Sequence, residues 1–435
     1  MAAMGTLVGV AAFVVACAPT SRVVPVGPAS IGGAQTGELH GRLGGVDRMA
    51  RVALAMHATV APISSTTKWR VDEQGGKQLL VRGAGREPWR IERRGTLLRI
   101  AGVGEDATPW RQGPFVARPA ASEGVVQFQG RPYRGELWFT ATDSGILVVN
   151  RLPVEDYLRG VLPRELGTRL ASDRAAVEAQ AIAARSYAYM RVPSAEAEQG
   201  KGAWDLVATV ADQVYGGADG ETPEASQAID ATAGLVLRYG GLLADAPYSS
   251  SCGGRSAVPS DAWRDAHAEP YLQSRDDVNS ATGRPFCDIS PRNHWTAELD
   301  GAQLSDAVRR ALVAAGARAP TSAAIREVQV TERTGSGRVA QLLLRTDRGD
   351  VHVRGNDVRA VLRDARGAIL FSTYFSVERE THARGHLTAV VLRGAGNGHG
   401  VGMCQWGAIG RARAGQDART ILAHYYPGTS VGFAD

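Results

Sequence analysis

GILVVNRLPVEDYLRGVLPREL (145–166) and SDRAAVEAQAIAARSYAYMR (172–191) mark the place where the chain changes texture. Up to Asn150 the apolar residues come in short runs of strand type. At Pro153 the pattern changes, because a proline followed by the acids Glu155 and Asp156 favours a helix N-terminus, where the exposed N–H groups attract negative charge. In the second stretch Ala176, Ala179, Ile182, Ala183 and Tyr187 return at helical spacing, with Ser172 or Asp173 able to cap the start. The alanine face lets a neighbouring element pack closely. The fold class expected is α+β: a small, mostly β N-terminal domain followed by a mixed α/β domain with a substrate groove.

Working back from this junction, RVALA, KQLLVRG, WRIERRG, TLLRIAG, VVQFQG, GELWFTA and GILVVN read as strands bounded by Gly or Pro, several alternating apolar with polar residues. They define a mostly β domain over 47–150, with no cluster of acids, His or Cys, so a scaffolding or binding role is expected. Residues 18–46 are rich in Gly, Pro, Ser and Ala and read as a flexible tether. Residues 6–16 (TLVGVAAFVVA) are uninterruptedly apolar or small and end at Cys17. As a helix the run would rise only ~16 Å, too short to span a bilayer but right for the apolar core of a signal peptide. VVAC resembles a bacterial lipobox. That implies a signal peptide over 1–17, lipidation of Cys17, export, and a lipoprotein held at the membrane in the cell envelope, periplasmic or extracytoplasmic. No Lys or Arg precedes Arg22, contrary to the usual positive start of an export signal.

Toward the C-terminus, GLVLRYGG and LLADAPYSSS read as strands, followed by a polar irregular stretch over about 261–294. A helix near 302–315, strands at 325–332, 339–346 and 350–353, a short helix over 355–363 and a strand near 369–377 read as an α/β insertion at about 300–377. The strand HLTAVVLRG leads into the Gly-rich GAGNGHGVGMCQWGAIG and a final helix. That glycine run is no phosphate cradle: it lacks the GxxxxGK[ST] pattern, and no βαβ unit with a later acid accompanies it.

The chain has 435 residues, 44% of them hydrophobic and 21% charged, with a net charge of +5. This is an ordinary globular composition. The charges are interspersed, without basic blocks or basic–aromatic ladders, so no nucleic-acid partner is expected. The nine histidines are scattered and form neither H-E-x-x-H nor H-x-x-E-H, which argues against a metallo-amidase.

VNRLPVEDYLRGVLPREL, AAVEAQAIAARSYAY, ADQVYGG, AGLVLRYGG, YSSSCGGRS, GHGVGMCQWGA and ILAHYYPGT resemble, in order, the blocks of the stage II sporulation protein D (SpoIID)/LytB family. They run from about 148 to about 431, roughly two-thirds of the chain. The resemblance places a SpoIID/LytB-like catalytic domain over 151–435 and implies action on peptidoglycan. The activity it implies is that of a lytic transglycosylase cleaving denuded glycan strands between N-acetylmuramic acid and N-acetylglucosamine. The alternative it implies is a non-catalytic wall-binding protein that enhances a cell-wall amidase.

The family's catalytic acid falls on Glu165. One carboxyl suffices: it protonates the leaving oxygen, the sugar's own 6-hydroxyl attacks, and the same group takes that proton back. A hydrolase would usually need a second carboxylate. Glu155, Asp156 and Glu178 are the competing acids. Gln180, Arg185, Asp212, Gln213, Ser250, Ser251 and Gln405 are the candidate substrate-binding residues, and Trp406 offers a stacking face. Arg185 can pair with Glu165, hold a sugar carboxylate, or form a structural ion pair. No cofactor is expected for the chemistry.

Cys252, Cys287 and Cys404 leave two structural readings open. One is a Cys252–Cys287 disulfide with Cys404 buried and free, favoured by an oxidising compartment. The other is a structural zinc held by Cys252, Cys287, Cys404 and His399.

Overall fold

The structure, a computed structural model, describes residues 48–434 apart from 74–77, 103, 105, 122, 194–201, 315–322 and 365. The expected signal segment, Cys17 and the tether lie outside the described residues.

The N-terminal region is two antiparallel-rich sheets packed face to face. A seven-stranded sheet runs in the order 206–207, 49–58, 145–153, 136–142, 115–119, 69–73, 79–83. A six-stranded sheet runs 131–133, 126–128, 60–65, 89–94, 97–101, 111–112. Period-2 alternation decides which side chains meet: Val52, Val71, Phe139 and Val148 of the first sheet join Ile63, Ile91, Leu98 and Phe128 of the second in one buried cluster.

Strand Gly145–Pro153 runs straight into α1 (Val154–Leu166), so the long central strand aims the helix that carries Glu165. A four-residue link and a short 3-10 turn lead to α2 (Arg174–Arg191), buried along most of its length. Asp173 begins α2 but makes no side-chain cap; its carboxylate takes the Arg413 guanidinium instead, at 2.7 and 3.1 Å. Six further α-helices follow among the described residues: α3 (Pro223–Ala231), α4 (Pro259–Ala262), α5 (Gly301–Ala314), α6 (Asp357–Val361), α7 (Gln405–Arg413) and α8 (Ala418–Tyr425), of which α5 and α6 belong to the insertion. α2 lies against α1, α3, α7 and α8, and its alanines permit that crowding. Truncating Ile182, fully buried at its centre, would cost about 2–5 kcal/mol through lost burial and the cavity left behind.

One apolar core runs from Ala50 to Tyr426, so the β region and the helical region expected as separate units share their interior. A second core, from Trp295 to Leu392, belongs to the insertion. It contains α5, α6 and two three-stranded sheets, ordered 294–300, 386–395, 375–383 and 325–333, 339–346, 349–354. LLADAPYSSS, expected as a strand, forms strand only at Leu242–Leu243 and Tyr248–Ser249, with an isolated bridge from Ser251 to Asn397. The second of these pairs in parallel with Met403–Cys404, bringing the SSSC segment beside the Gly-rich loop.

Candidate functional site

Glu165 sits in the last turn of α1, half-buried. Its Oε1 accepts the Val214 backbone N–H at 2.9 Å, and its Oε2 faces the Gln405 amide nitrogen at 3.4 Å. Burial pushes its carboxyl above the ordinary range, and those two donors pull it only part of the way back. Its place at a helix C-terminus acts in the same direction, because the carbonyl end repels a carboxylate. Among the described residues Glu165 has no ion-pair partner.

The competing acids are differently placed. Glu155 is taken by Arg185, and Glu178 by Arg174 at 2.8 Å. Asp156 also has a carboxyl raised by burial, but Arg159 lies 3.6 Å away and Arg134 opposes the shift; it stands in the first turn of α1, at the other end from Glu165.

One of the candidate substrate-binding residues, Gln405, meets Glu165, and a second, Gln180, is joined to it through Gln405. Gln405, at the start of α7, places Nε2 between Glu165 Oε2 and Gln180 Oε1, the latter at 3.5 Å. Gln180 is fully buried on α2 and its Nε2 has no hydrogen-bond partner. Nearby, the buried Ser249 hydroxyl is likewise unpartnered. Trp406 turns its ring to the Arg169 guanidinium, 5.0 Å from the ring centre.

Of the others, Arg185, Asp212, Gln213 and Ser251 are committed to the scaffold. Arg185, fully buried, forks onto Glu155 with two 2.7 Å bonds and donates to the carbonyls of Leu235 and Ile229. Its donors are used inside the protein, so the sugar-binding role and the pairing with Glu165 give way to a structural ion pair. Asp212 accepts from Tyr187 Oη and Val207 N–H. Gln213, fully buried, links Tyr157, Tyr248 and the Ala184 carbonyl; its direct neighbour Val214 supplies the donor to Glu165. Ser251 is buried with its hydroxyl on Asn293, whereas Ser250 is half-buried and its carbonyl accepts the Trp406 N–H.

Tyr248 and the Val214 N–H escaped the sequence reading. Tyr248 does stand in the YSSSCGGRS block, and the charge of Glu165 helps push its hydroxyl upward, after burial. A backbone donor leaves no trace in residue identity.

The three cysteines converge on one buried point. Cys252 Sγ lies 3.9 Å from Cys287 Sγ and all three are free thiols, so the expected disulfide is absent here. The fourth group is Asp277, not His399: Cys252, Cys287, Cys404 and Asp277 place their ligand atoms within 4.8 Å of one another. Left-handed glycines at 398 and 400 turn His399 away, against the Trp263 ring at 4.9 Å, with Nδ1 accepting the Val401 N–H. Burial, with the Arg359 and Arg338 charges, lowers the His399 imidazole to about 4, so it is neutral near pH 7.

Residues 142–239 match the family model "Stage II sporulation protein" (SpoIID). This segment is a SpoIID domain. It holds Glu165, Gln180, Asp212 and Gln213, and the resemblance read from the seven blocks stands. Residues 289–402, covering the insertion, match a second family described as a domain of unknown function, DUF8618.

The chain is 28% identical over 302 residues to an uncharacterized protein of Brachyspira hyodysenteriae, covering 69% of this chain and 73% of the relative. It is 28% identical over 312 residues to the amidase enhancer of Bacillus subtilis, covering 63% of this chain but 40% of that protein. Against stage II sporulation protein D of Bacillus subtilis it is 27% identical over 332 residues, covering 74% and 85%. Among the described residues no helix is long and apolar enough to cross a membrane.

Proposed function

We propose that this SpoIID-domain protein works on the cell wall as a lytic transglycosylase of peptidoglycan glycan strands, with Glu165 as its one acid/base. The observation that carries the reading is a half-buried carboxyl, raised by burial, with two donors aimed at it and no cation beside it. Such a group keeps its proton to higher pH than an ordinary carboxyl and can give it to the glycosidic oxygen as the bond to the muramic anomeric carbon breaks. The 6-hydroxyl of the same sugar then attacks that carbon and returns its proton to Glu165. The product ends in a 1,6-anhydro sugar, and no water is consumed. While Glu165 is ionised, the Val214 N–H and the Gln405 amide steady the charge. The free Gln180 Nε2 and Ser249 hydroxyl are donors suited to sugar oxygens.

The test is digestion of isolated denuded and peptide-bearing glycan strands with purified protein, followed by mass analysis of the ends. New anhydro ends that vanish with Glu165→Gln support the reading; reducing ends or none reject it. The likeness to an amidase enhancer favours a second reading, in which the same groove binds strands without cutting them. That version leaves glycan ends unchanged and raises the rate of an added cell-wall amidase.

A further inference from the structure

We infer that Cys252, Cys287, Cys404 and Asp277 form a structural site for one thiophilic divalent metal ion, zinc in chemical class, buried at the N-terminus of α7, whose first residue faces Glu165. The spacing suits a tetrahedron. Zinc–sulfur bonds of about 2.3 Å and zinc–oxygen bonds of about 2.0 Å require S···S edges near ~3.8 Å and S···O edges near ~3.5 Å. Cys252 Sγ lies 3.9 Å from Cys287 Sγ and 3.4 Å from Asp277 Oδ2. All four residues are buried, and three sulfurs with one oxygen select a borderline-soft ion over magnesium or calcium.

The surroundings are built for anionic ligands. Cys404 Sγ receives two backbone N–H groups, from Cys252 at 3.1 Å and Gly407 at 3.2 Å, the second at the N-terminus of α7. Asp277 is fixed by Arg411 Nε at 2.9 Å on Oδ1 and by Tyr425 Oη at 2.9 Å on Oδ2, as carboxylate ligands of metals are usually held. Gly407 makes room for this: a Cβ there would lie 2.1 Å from Asp277 Oδ2 and 2.2 Å from Tyr425 Oη. On metal binding the contacts that must change are Cys252 S–H to Asp277 Oδ2 and Cys287 S–H to Asn293 Oδ1, since both thiols lose their protons.

Charge points the same way. Three thiolates and a carboxylate exceed a divalent ion by two negative charges, and two buried guanidinium groups adjoin them. Arg411 pairs with Asp277. Arg338 reaches in from the insertion, donating Nη2 to the Cys252 and Arg255 carbonyls, while its Nε and Nη1 have no partner. Asp261 is the other acid that acts on Arg338, and its Oδ2 takes the Ser336 hydroxyl. A buried cation with two idle donors is costly on its own and far less so beside an anionic metal centre. The site would fasten the 252–287 segment to α7, whose first residue, Gln405, faces Glu165.

The full chain, purified with reductant and without chelator, should carry one zinc per molecule by elemental analysis. Exchange with Co2+ should give the sulfur-to-cobalt charge-transfer and visible bands of a tetrahedral thiolate site. Cys287→Ser and Asp277→Asn should each weaken zinc by more than ~100-fold in chelator competition, and Tyr425→Phe by about 10-fold. His399→Ala and Glu165→Gln should retain the ion. If the cysteine variants do not fold, the cobalt spectrum of the unaltered protein decides. A chain that stays metal-free after reconstitution, a Cys252–Cys287 disulfide in unreduced protein, or loss of the ion in His399→Ala would each overturn the assignment. None of these readouts depends on glycan cleavage.

Discussion

Gln405 Nε2 stands 3.4 Å from Glu165 Oε2, so the acid and one of its two donors come from positions 240 residues apart in the chain. That donor favours the ionised carboxyl and lowers its pKa, against the larger effect of burial. Removing it with Gln405→Ala should move the alkaline limb of the kcat/KM profile to higher pH, because Glu165 then keeps its proton longer. The rate loss at the optimum should be no more than ~10-fold, the worth of about one hydrogen bond. A limb that stays put or moves toward acid would detach Gln405 from the titration.

Glu165→Gln should abolish anhydro-end formation by at least ~100-fold while the fold is kept. It should also stabilise the protein at neutral pH. A carboxyl raised in the folded state contributes stability that is present below its ordinary 4.5 and is lost as pH rises through the folded value. The melting temperatures of variant and parent should therefore agree below about pH 4 and separate in the variant's favour above that. Equal values at pH 4 and pH 7 would show that burial does not strain this group.

Arg185 is a stability residue. Arg185→Ala leaves Glu155 without its fork and strands two carbonyls, and should cost about 3–5 kcal/mol, read by denaturant unfolding. Any protein that remains folded should bind and cut strands with nearly unchanged KM. A raised KM with unchanged stability would restore the sugar-binding role.

The lipid anchor is a proposal resting on the apolar run that ends in VVAC. Cys17→Ser should end fatty-acid labelling in a bacterial host and release the protein from membranes. An unlabelled parent protein, or one whose mature N-terminus lies elsewhere, would remove the lipobox reading.

The strands before Asn150 and the helices after it were legible because their apolar periods differ, 2 against 3.6, and the change falls at Pro153. Strand 60–65 was not: Pro62 breaks the expected texture, yet the register seats it between 89–94 and 126–128. Glu165, Gln180 and Gln405 were named from their blocks, and the fold brings these three together. Asp277 was beyond reach, since an acid in an irregular loop has no periodicity to say where it points. His399 was chosen for its nearness to Cys404 in sequence, and the left-handed glycines around it undo that nearness in space. Arg185 kept three readings in the sequence, and the partner that decides among them lies 30 residues earlier.

The insertion's first and last strands are antiparallel neighbours, with His294 opposite Ala395. The polypeptide thus departs from the site-building body and rejoins it at a single joint, and the second family match, 289–402, spans from just before that joint to just after it. Whatever grows, shrinks or is exchanged between those ends need not reroute the chain on either side. A segment attached in this way is a graft, and Arg338 on the Cys252 carbonyl and Ser336 on Asp261 are threads by which it is sewn back to its host.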